Sequence, residues 1–296
     1  MSLILRLLLL TVIYFVGFSV SSALLIPVPV QTAPTGDSTN LFLALLEVSV
    51  LNSLVVAFII LRSRFAGWRL MLQVFLIFFG ITTFMAQMET AVFVTDLPQG
   101  MLSRIILSWL VFSLLLSVLA VLLLGKRKGS IAQESNYQNP LTTGQWLVRL
   151  TLIGIAYVII YFTFGYYLAW RNPAVRAYYH GTDPGNFLAQ FKSVVVDTPW
   201  LPLFQFLRGL LWAMIALFII RMLNERWWIT GLAVSLSFAV MMSSQLLLPN
   251  PLMPRAVRLA HLVETASSNF LFGWLLVLVL VKWRPSVQGK VATSKT

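Results

Sequence analysis

The sequence predicts an all-α polytopic transmembrane bundle of about eight spans, arranged as two parallel four-helix repeats. Of its 296 residues, 59% are hydrophobic and only 10% are charged, and the mean hydropathy is +0.87. This composition excludes an ordinary soluble domain. The apolar runs are about twenty residues long, which is the length that crosses a hydrocarbon core, and they do not alternate as barrel strands do.

The second half of the chain repeats features of the first half. Arg6 precedes Tyr14 by eight residues, and Arg149 precedes Tyr157 by the same spacing, 143 positions later. Three further matches fall at shifts of 158 to 160: Phe58-Ile59-Ile60 with Phe218-Ile219-Ile220, Gly67-Trp68-Arg69 with Arg226-Trp227-Trp228, and Gln87 with Gln245. Slowly drifting offsets are typical of a duplicated unit with small insertions. Because four spans return the chain to its starting side, the repeats should be related by a pseudo-two-fold axis along the membrane normal.

The apolar runs and the charges between them set the boundaries. The predicted spans are 4–26, 41–61, 70–94, 102–125, 146–169, 200–221, 227–248 and 256–281. The first repeat is therefore 1–125, a polar cytoplasmic linker is 126–145, the second repeat is 146–284, and a tail is 285–296. Ser21-Ser22-Ala23 would suit cleavage of a signal peptide, but the match of Arg6 and Tyr14 to the second repeat favours a retained first helix.

The external loop 171–199 of the second repeat carries its own apolar face. Phe187, Leu188, Phe191, Val194 and Val195 recur at helical spacing. This pattern predicts a short helix, either lying in the outer membrane interface or packed on the bundle as a lid.

Basic residues cluster at one set of helix ends. They follow spans two, four, six and eight: Arg62, Arg64, Arg69, Lys126, Arg127, Lys128, Arg221, Arg226, Lys282 and Arg284. The net charge of +12 then reflects the positive-inside bias and not nucleic-acid binding. We expect a multi-pass protein of the cytoplasmic membrane with both termini cytoplasmic. The absence of cysteine excludes disulfides, thiolate metal sites and cysteine nucleophiles.

Three polar residues lie at a depth where they are unusual. Counting about 1.5 Å per residue from the inner helix ends, Glu47, Arg208 and Asn269 lie about 20–22 Å up, some 8–10 Å inside the outer boundary of a core roughly 30 Å thick. A charge there costs about 2–3 kcal/mol and normally faces a protein interior. Glu47 and Arg208 lie on repeat-related spans and are expected to oppose each other. Two alternatives to this ion pair remain. The long Arg208 side chain could extend to the lipid headgroups, or Glu47 could be protonated.

A collar of polar residues lies above these three. It contains Glu89 on span three and His261 and Glu264 on span eight. His261 and Glu264, at i and i+3, could hold a metal with Glu89 as third ligand, but a hydrogen-bond network is the simpler interpretation. On span five, Tyr157 and Tyr161 could line a cavity or merely pack.

These features favour binding or transport of a small polar or ionic solute through an outward-facing cavity. Arg208 would hold an anionic group, and Glu47 or Glu264 would exchange a proton. One alternative is an integral-membrane enzyme acting on lipid or lipid-linked substrate at the outer leaflet, and another is a non-catalytic subunit or assembly factor. The sequence contains no phosphate loop, zinc-protease motif or haem-ligand pair, so no cofactor is expected. The predicted partners are the lipid bilayer and a solute, without nucleic acid.

Overall fold

The chain forms a bundle of long apolar helices. The computed structural model describes residues 1–25, 39–93, 98–126, 141–183, 185–223, 225–249 and 253–283. The helices are α1 Leu3–Leu25, α2 Leu41–Leu61, α3 Gly67–Phe93, α4 Met101–Leu123, α5 Thr143–Trp170, α6 Pro173–Tyr178, α7 Phe187–Asp197, α8 Leu201–Met222, α9 Trp227–Leu247 and α10 Arg255–Lys282. Within these ranges eight helices are long and apolar enough to cross a membrane. The predicted all-α polytopic fold is confirmed, and each predicted span agrees with its helix to within three residues at both ends.

The helix ends follow from local sequence. Asn40 accepts a hydrogen bond from Leu43 N and so caps α2. Thr142 and Gln145 form a reciprocal capping box, so α5 begins at residue 143 and not at 146 as predicted. Three helices contain π-helical segments, at Gly80–Met85 in α3, Gly165–Trp170 in α5 and Leu278–Lys282 in α10.

The same order of neighbours recurs in the two halves. In the first half α1 packs against α2 and α4, and α3 packs against α4; in the second half α5 packs against α8 and α10, and α9 packs against α10. The halves meet where α2 contacts α9 and where α3 contacts α8 and α9. One apolar core runs through both halves and includes Val56, Ile77 and Ala216.

Two arginines make matching contacts in the two halves. Arg6 Nη1 donates to the carbonyl of Leu124 at the end of α4 at 3.0 Å. Arg149 Nη1 donates to the carbonyl of Leu280 near the end of α10, also at 3.0 Å, and its Nη2 donates to the Trp283 carbonyl. These bonds satisfy carbonyls that a helix leaves unpaired at its C-terminus.

The helix ends that carry most of the basic residues meet at one end of the bundle. This basic end is defined by Arg6, Arg62, Lys126, Arg221 and Lys282. Its turns are joined: Ser63 and Leu223 form an antiparallel bridge, Lys126 Nζ donates to Ser63 O at 2.9 Å, and Arg62 pairs with Glu225 at 3.0 Å. We call the opposite end the outer end.

Candidate functional site

Arg208 lies inside the outer half of the bundle, on α8. Its side chain is 1% exposed, and its Nη1 lies 2.6 Å from Oε1 of Glu89 on α3. The same Nη1 donates to Oε1 of Gln205 at 2.9 Å. The rings of Tyr157 and Phe204 lie with their centroids 5.8 Å from its guanidinium carbon. The guanidinium is therefore held by a carboxylate, an amide and two aromatic faces, and does not snorkel to the headgroups.

The carboxylate side of this ion pair is open. The Glu89 side chain is 37% exposed, whereas Arg208 is enclosed. The π-helical segment Gly80–Met85 precedes Glu89 on α3. A π turn adds a residue to the helical turn and so rotates the face of the residues that follow it, which lets Glu89 point toward α8.

Two buried donors beside this ion pair have no acceptor. Arg208 Nε and Gln205 Nε2 make no hydrogen bond with any described residue. An unfilled Nε occurs elsewhere in the bundle, at Arg6 for instance. Arg208 differs because a second unfilled donor lies beside it. That donor is Nε2 of Gln205, whose Oε1 already accepts a hydrogen bond from the Arg208 guanidinium. Buried donors are almost always satisfied in native proteins, so these two donors are the atoms of this group that can accept a further hydrogen-bond partner.

A second polar group lies nearer the outer end, on α10 and α6. His261 Nδ1 lies 2.7 Å from Oε2 of Glu264, and His261 Nε2 lies 3.3 Å from the hydroxyl of Tyr179. Partial burial raises the pKa of the Tyr179 phenol above its ordinary value, so the hydroxyl stays protonated into the alkaline range and can donate to Nε2. Glu264 Oε1 lies over Gly165 of α5, 3.4 Å from where a methyl group would stand.

Tyr161 of α5 lies between the two groups along the helix, one turn from Tyr157, whose ring faces Arg208, and one turn from Gly165, which faces Glu264 Oε1. One helical turn below, the Tyr157 hydroxyl accepts a 3.1 Å hydrogen bond from Trp212 Nε1. We name the combined set the outer polar cluster: Glu89, Tyr161, Gln205, Arg208, His261 and Glu264.

Glu47 is not part of this cluster, and its predicted opposition to Arg208 is wrong. Glu47 is exposed on α2, which packs against α1 and α9, whereas Arg208 faces α3 and α5. The partner of Arg208 is Glu89, a residue the sequence assigned to the collar. Depth was derived from the distance along each helix, but α2 is apolar around its circumference, so the pattern did not identify its inward face.

The remaining predicted residues have distinct environments. Asn269 is 5% exposed on α10, on the face that also presents Phe272 to Tyr157 at 4.8 Å between ring centroids. Its role in a site stays a prediction. His261 and Glu264 bond to each other, and among the described residues no three His, Cys, Asp or Glu side chains come close enough to hold a metal. The sequence did not single out Gln205 and Tyr179. For Gln205 a signal existed, since it is a polar residue three positions before Arg208 in an apolar helix.

A cavity of about 330 Å³ opens near the outer end of α5. It is lined by Tyr166, Trp170, Arg171, Arg176, Asp183 and Gly185. Arg176 pairs with Asp183 at 3.3 Å. The Trp170 ring lies 6.1 Å from that of Tyr179, which in turn contacts His261, but no residue of the outer polar cluster lines the cavity itself.

The α7 helix packs on the outer end of α5. The Phe191 ring meets that of Phe162 at 5.1 Å, and the Phe187 ring meets that of Tyr166 at 5.7 Å. Leu188 and Val196 remain 73% and 69% exposed. The predicted helix is present, with one apolar edge against the bundle and another exposed.

The chain matches no protein-family model, no curated protein and no solved structure. Its function is therefore argued from the outer polar cluster itself.

Proposed function

We propose that the protein binds a small solute carrying an anionic group at the outer polar cluster and carries it across the membrane. The supporting observation is the enclosed guanidinium of Arg208, with unfilled donors at its own Nε and at Gln205 Nε2. A carboxylate or phosphate oxygen would fill those donors in a surrounding of low dielectric, where charge-assisted hydrogen bonds are strong. The anion would approach Arg208 Nε, because Glu89 already occupies Nη1.

The rest of the bundle supports an outward-facing state. Toward the basic end the helices are packed by buried apolar side chains such as Ile59, Ile60, Ile219 and Met222. No polar path continues through these described residues, so transport requires the two halves to rearrange. A bundle of two parallel repeats can do this by moving one half against the other around a fixed site. The recurring neighbour order of the helices supports that arrangement.

Binding is tested by ligand-dependent thermal stabilisation of the purified protein. Acetate, phosphate and the twenty amino acids serve as probes, in wild type and in Arg208→Gln. A ligand that binds only the folded state stabilises it by about 2.7 kcal/mol at one hundred times its Kd. We expect stabilisation by at least one anion-bearing probe, lost in Arg208→Gln and kept in the control Arg62→Gln, whose exposed pair lies at the basic end. Equal responses in wild type and Arg208→Gln would refute the proposal.

The orientation of the bundle is tested separately. The positive-inside bias supports a cytoplasmic basic end in the cell membrane. The chain has no cysteine, so single cysteines report topology without background. Ser193→Cys on α7 should react with a membrane-impermeant maleimide in intact cells, and Gly144→Cys at the basic end should react only after permeabilisation. The reverse pattern would contradict an outward-facing site.

A second candidate function is an enzyme acting on lipid-linked substrates at the outer leaflet. The hydrogen-bonded series Tyr179, His261 and Glu264 favours it, because an imidazole oriented by a carboxylate is a common general base. Incubation of the purified protein with a membrane lipid extract, followed by mass spectrometry, separates the two. An altered lipid that is absent with His261→Ala would establish the enzyme, and unchanged lipids would remove it.

A further inference from the structure

From the charges of the outer polar cluster, we infer that the solute is a zwitterion, carrying an ammonium group as well as the anionic group that Arg208 holds. This inference rests on the proposed function and names its substrate class. Two carboxylates flank one guanidinium: Glu89 Oε1 lies 2.6 Å from Arg208 Nη1, and Glu264 Oε1 lies over Gly165, two turns of α5 beyond the Tyr157 ring that faces Arg208. The cluster is therefore not a site for an anion alone.

The ion pair between Arg208 and Glu89 limits which solutes can bind at this site. A simple anion at Arg208 Nε would bring a second negative charge to a guanidinium whose Nη1 already lies 2.6 Å from Glu89 Oε1. One of the two negative charges would then lack a counterion, and like charges close together disfavour each other. A protonated His261 would not supply that counterion, because its Nδ1 is already bonded to Glu264 Oε2 at 2.7 Å.

An ammonium group on the solute removes this cost. It pairs with Glu89 while the carboxylate of the same molecule occupies Arg208 Nε and the unfilled donor of Gln205. Glu264 offers a second acceptor, since its Oε1 lies over Gly165, where α5 carries no side chain. Aromatic faces around the cluster, those of Phe204 and Tyr157, suit a cation as well, because they already lie against the Arg208 guanidinium.

The recognised chemistry is thus an amino group and a carboxylate held a few bonds apart, as in an amino acid. Binding conserves the charge of the site, because the solute enters with no net charge. The structure assigns the carboxylate to the α8 side and the ammonium to the side of α3 and α10.

The test compares matched molecules on the full-length protein. Thermal stabilisation is titrated first with the twenty amino acids and β-alanine, and then with alanine, propionate and ethylamine, which differ only by one charged group. We expect zwitterions to stabilise the wild type and the single-charge analogues to bind about tenfold more weakly or worse. In Glu89→Gln, which leaves no carboxylate stranded, propionate should approach alanine. The control variant is Glu225→Gln, which removes a partly exposed ion pair with Arg62 at the basic end. It should keep the wild-type selectivity.

Each remaining outcome has a defined meaning. Stabilisation by propionate equal to that by alanine, lost in Arg208→Gln, overturns the zwitterion and leaves anion binding intact. Stabilisation by ethylamine alone, or by none of the probes, overturns both the zwitterion and the proposed function. Retained discrimination in Glu89→Gln overturns the assignment of the ammonium to Glu89. Zwitterion binding that survives in both Arg208→Gln and Glu89→Gln places the ligand elsewhere and overturns the inference.

Discussion

Arginines in this apolar chain are stabilised in two different ways. Arg6, Arg149 and Arg258 donate to carbonyls at helix ends, such as those of Leu124 and Leu280. Such carbonyls are unpaired by helix geometry, so these arginines seal the bundle. Arg208 lies within α8, away from any helix end, and meets a carboxylate, an amide and two rings instead. Arg208 is therefore held by side chains of neighbouring helices and not by helix-end carbonyls.

The strength of the Arg208–Glu89 pair is a prediction at the residue scale. In a double-mutant cycle of Arg208→Gln and Glu89→Gln, we expect a coupling free energy of about 0.5–3 kcal/mol, since the two groups touch and one is enclosed. The measurement is the free energy of unfolding in mixed micelles. A parallel cycle of Arg62→Gln and Glu225→Gln should give about 0–1 kcal/mol, because both partners are partly exposed. Equal coupling free energies in the two cycles would show that the Arg208–Glu89 pair is no stronger than an exposed ion pair.

At the scale of helices, composition was enough to predict the elements. Each span agrees with its helix to within three residues, since length and hydropathy determine what can cross a lipid core. Rotation about the helix axis was not predictable, because lipid-facing and protein-facing residues are both apolar. Val12 and Ile159 are 56% and 59% exposed, while Leu10 and Ile160, only one or two residues away, are buried. Glu47 was therefore assigned to the wrong face.

The contact of Glu89 with Arg208 is not predictable from the sequence for a related reason. A rise of about 1.5 Å per residue holds for a regular α-helix, but α3 contains the π-helical segment Gly80–Met85. A π turn holds more residues for its length and shifts the face of everything beyond it. Glu89 is consequently turned toward α8, where its carboxylate pairs with Arg208. No pattern of residue types in α3 predicts this π-helical segment.

Close contact between α9 and α10 gives a prediction at the element scale. A methyl group on Gly273 would stand 2.6 Å from the Cα of Ser235, a backbone atom that cannot rotate away. We expect Gly273→Ala to lower the free energy of unfolding by about 1–3 kcal/mol, because the helices must separate. The matched control is Gly144→Ala in α5, where nothing lies within 4 Å. Equal stability of the two variants in detergent unfolding would show that this contact is dispensable.

The exposed edge of α7 gives a second prediction for an element. Leu188 is 73% exposed, whereas Ser193, on the opposite side of the same helix, bonds to Asp197 at 2.7 Å. A spin label at Leu188→Cys should be quenched more by oxygen than by a water-soluble nickel chelate, and one at Ser193→Cys should show the reverse. That pair of results would establish a helix lying in the membrane interface. Aqueous exposure at both positions would indicate a lid that stands clear of the lipid.

At the scale of the whole molecule, equivalent regions of the two halves are filled differently. Under the repeat offsets, Arg208 corresponds to Val48 and Tyr161 to Phe18. In the first half this region is packed by aromatic rings 5.1–6.2 Å apart: Tyr14, Phe18, Phe78, Trp109 and Phe112. The outer polar cluster takes Glu89 from the first half and its other residues from the second, so the Arg208–Glu89 pair joins the two halves.

The two-repeat arrangement itself stays a prediction, and it can be tested by dividing the chain. Each half closes its own ring of helix contacts, and the halves meet through α2 with α9 and through α3 with α8 and α9. Fragments 1–133 and 134–296, co-expressed, should therefore assemble and co-purify, and they should show the ligand response of the intact chain. A cut after residue 96 separates α4 from α1 and α3, both of which pack against it, so that pair of fragments should assemble poorly. Equal recovery from the two cuts, or no association of the halves, would mean that the helices form one indivisible bundle and that duplication does not organise it.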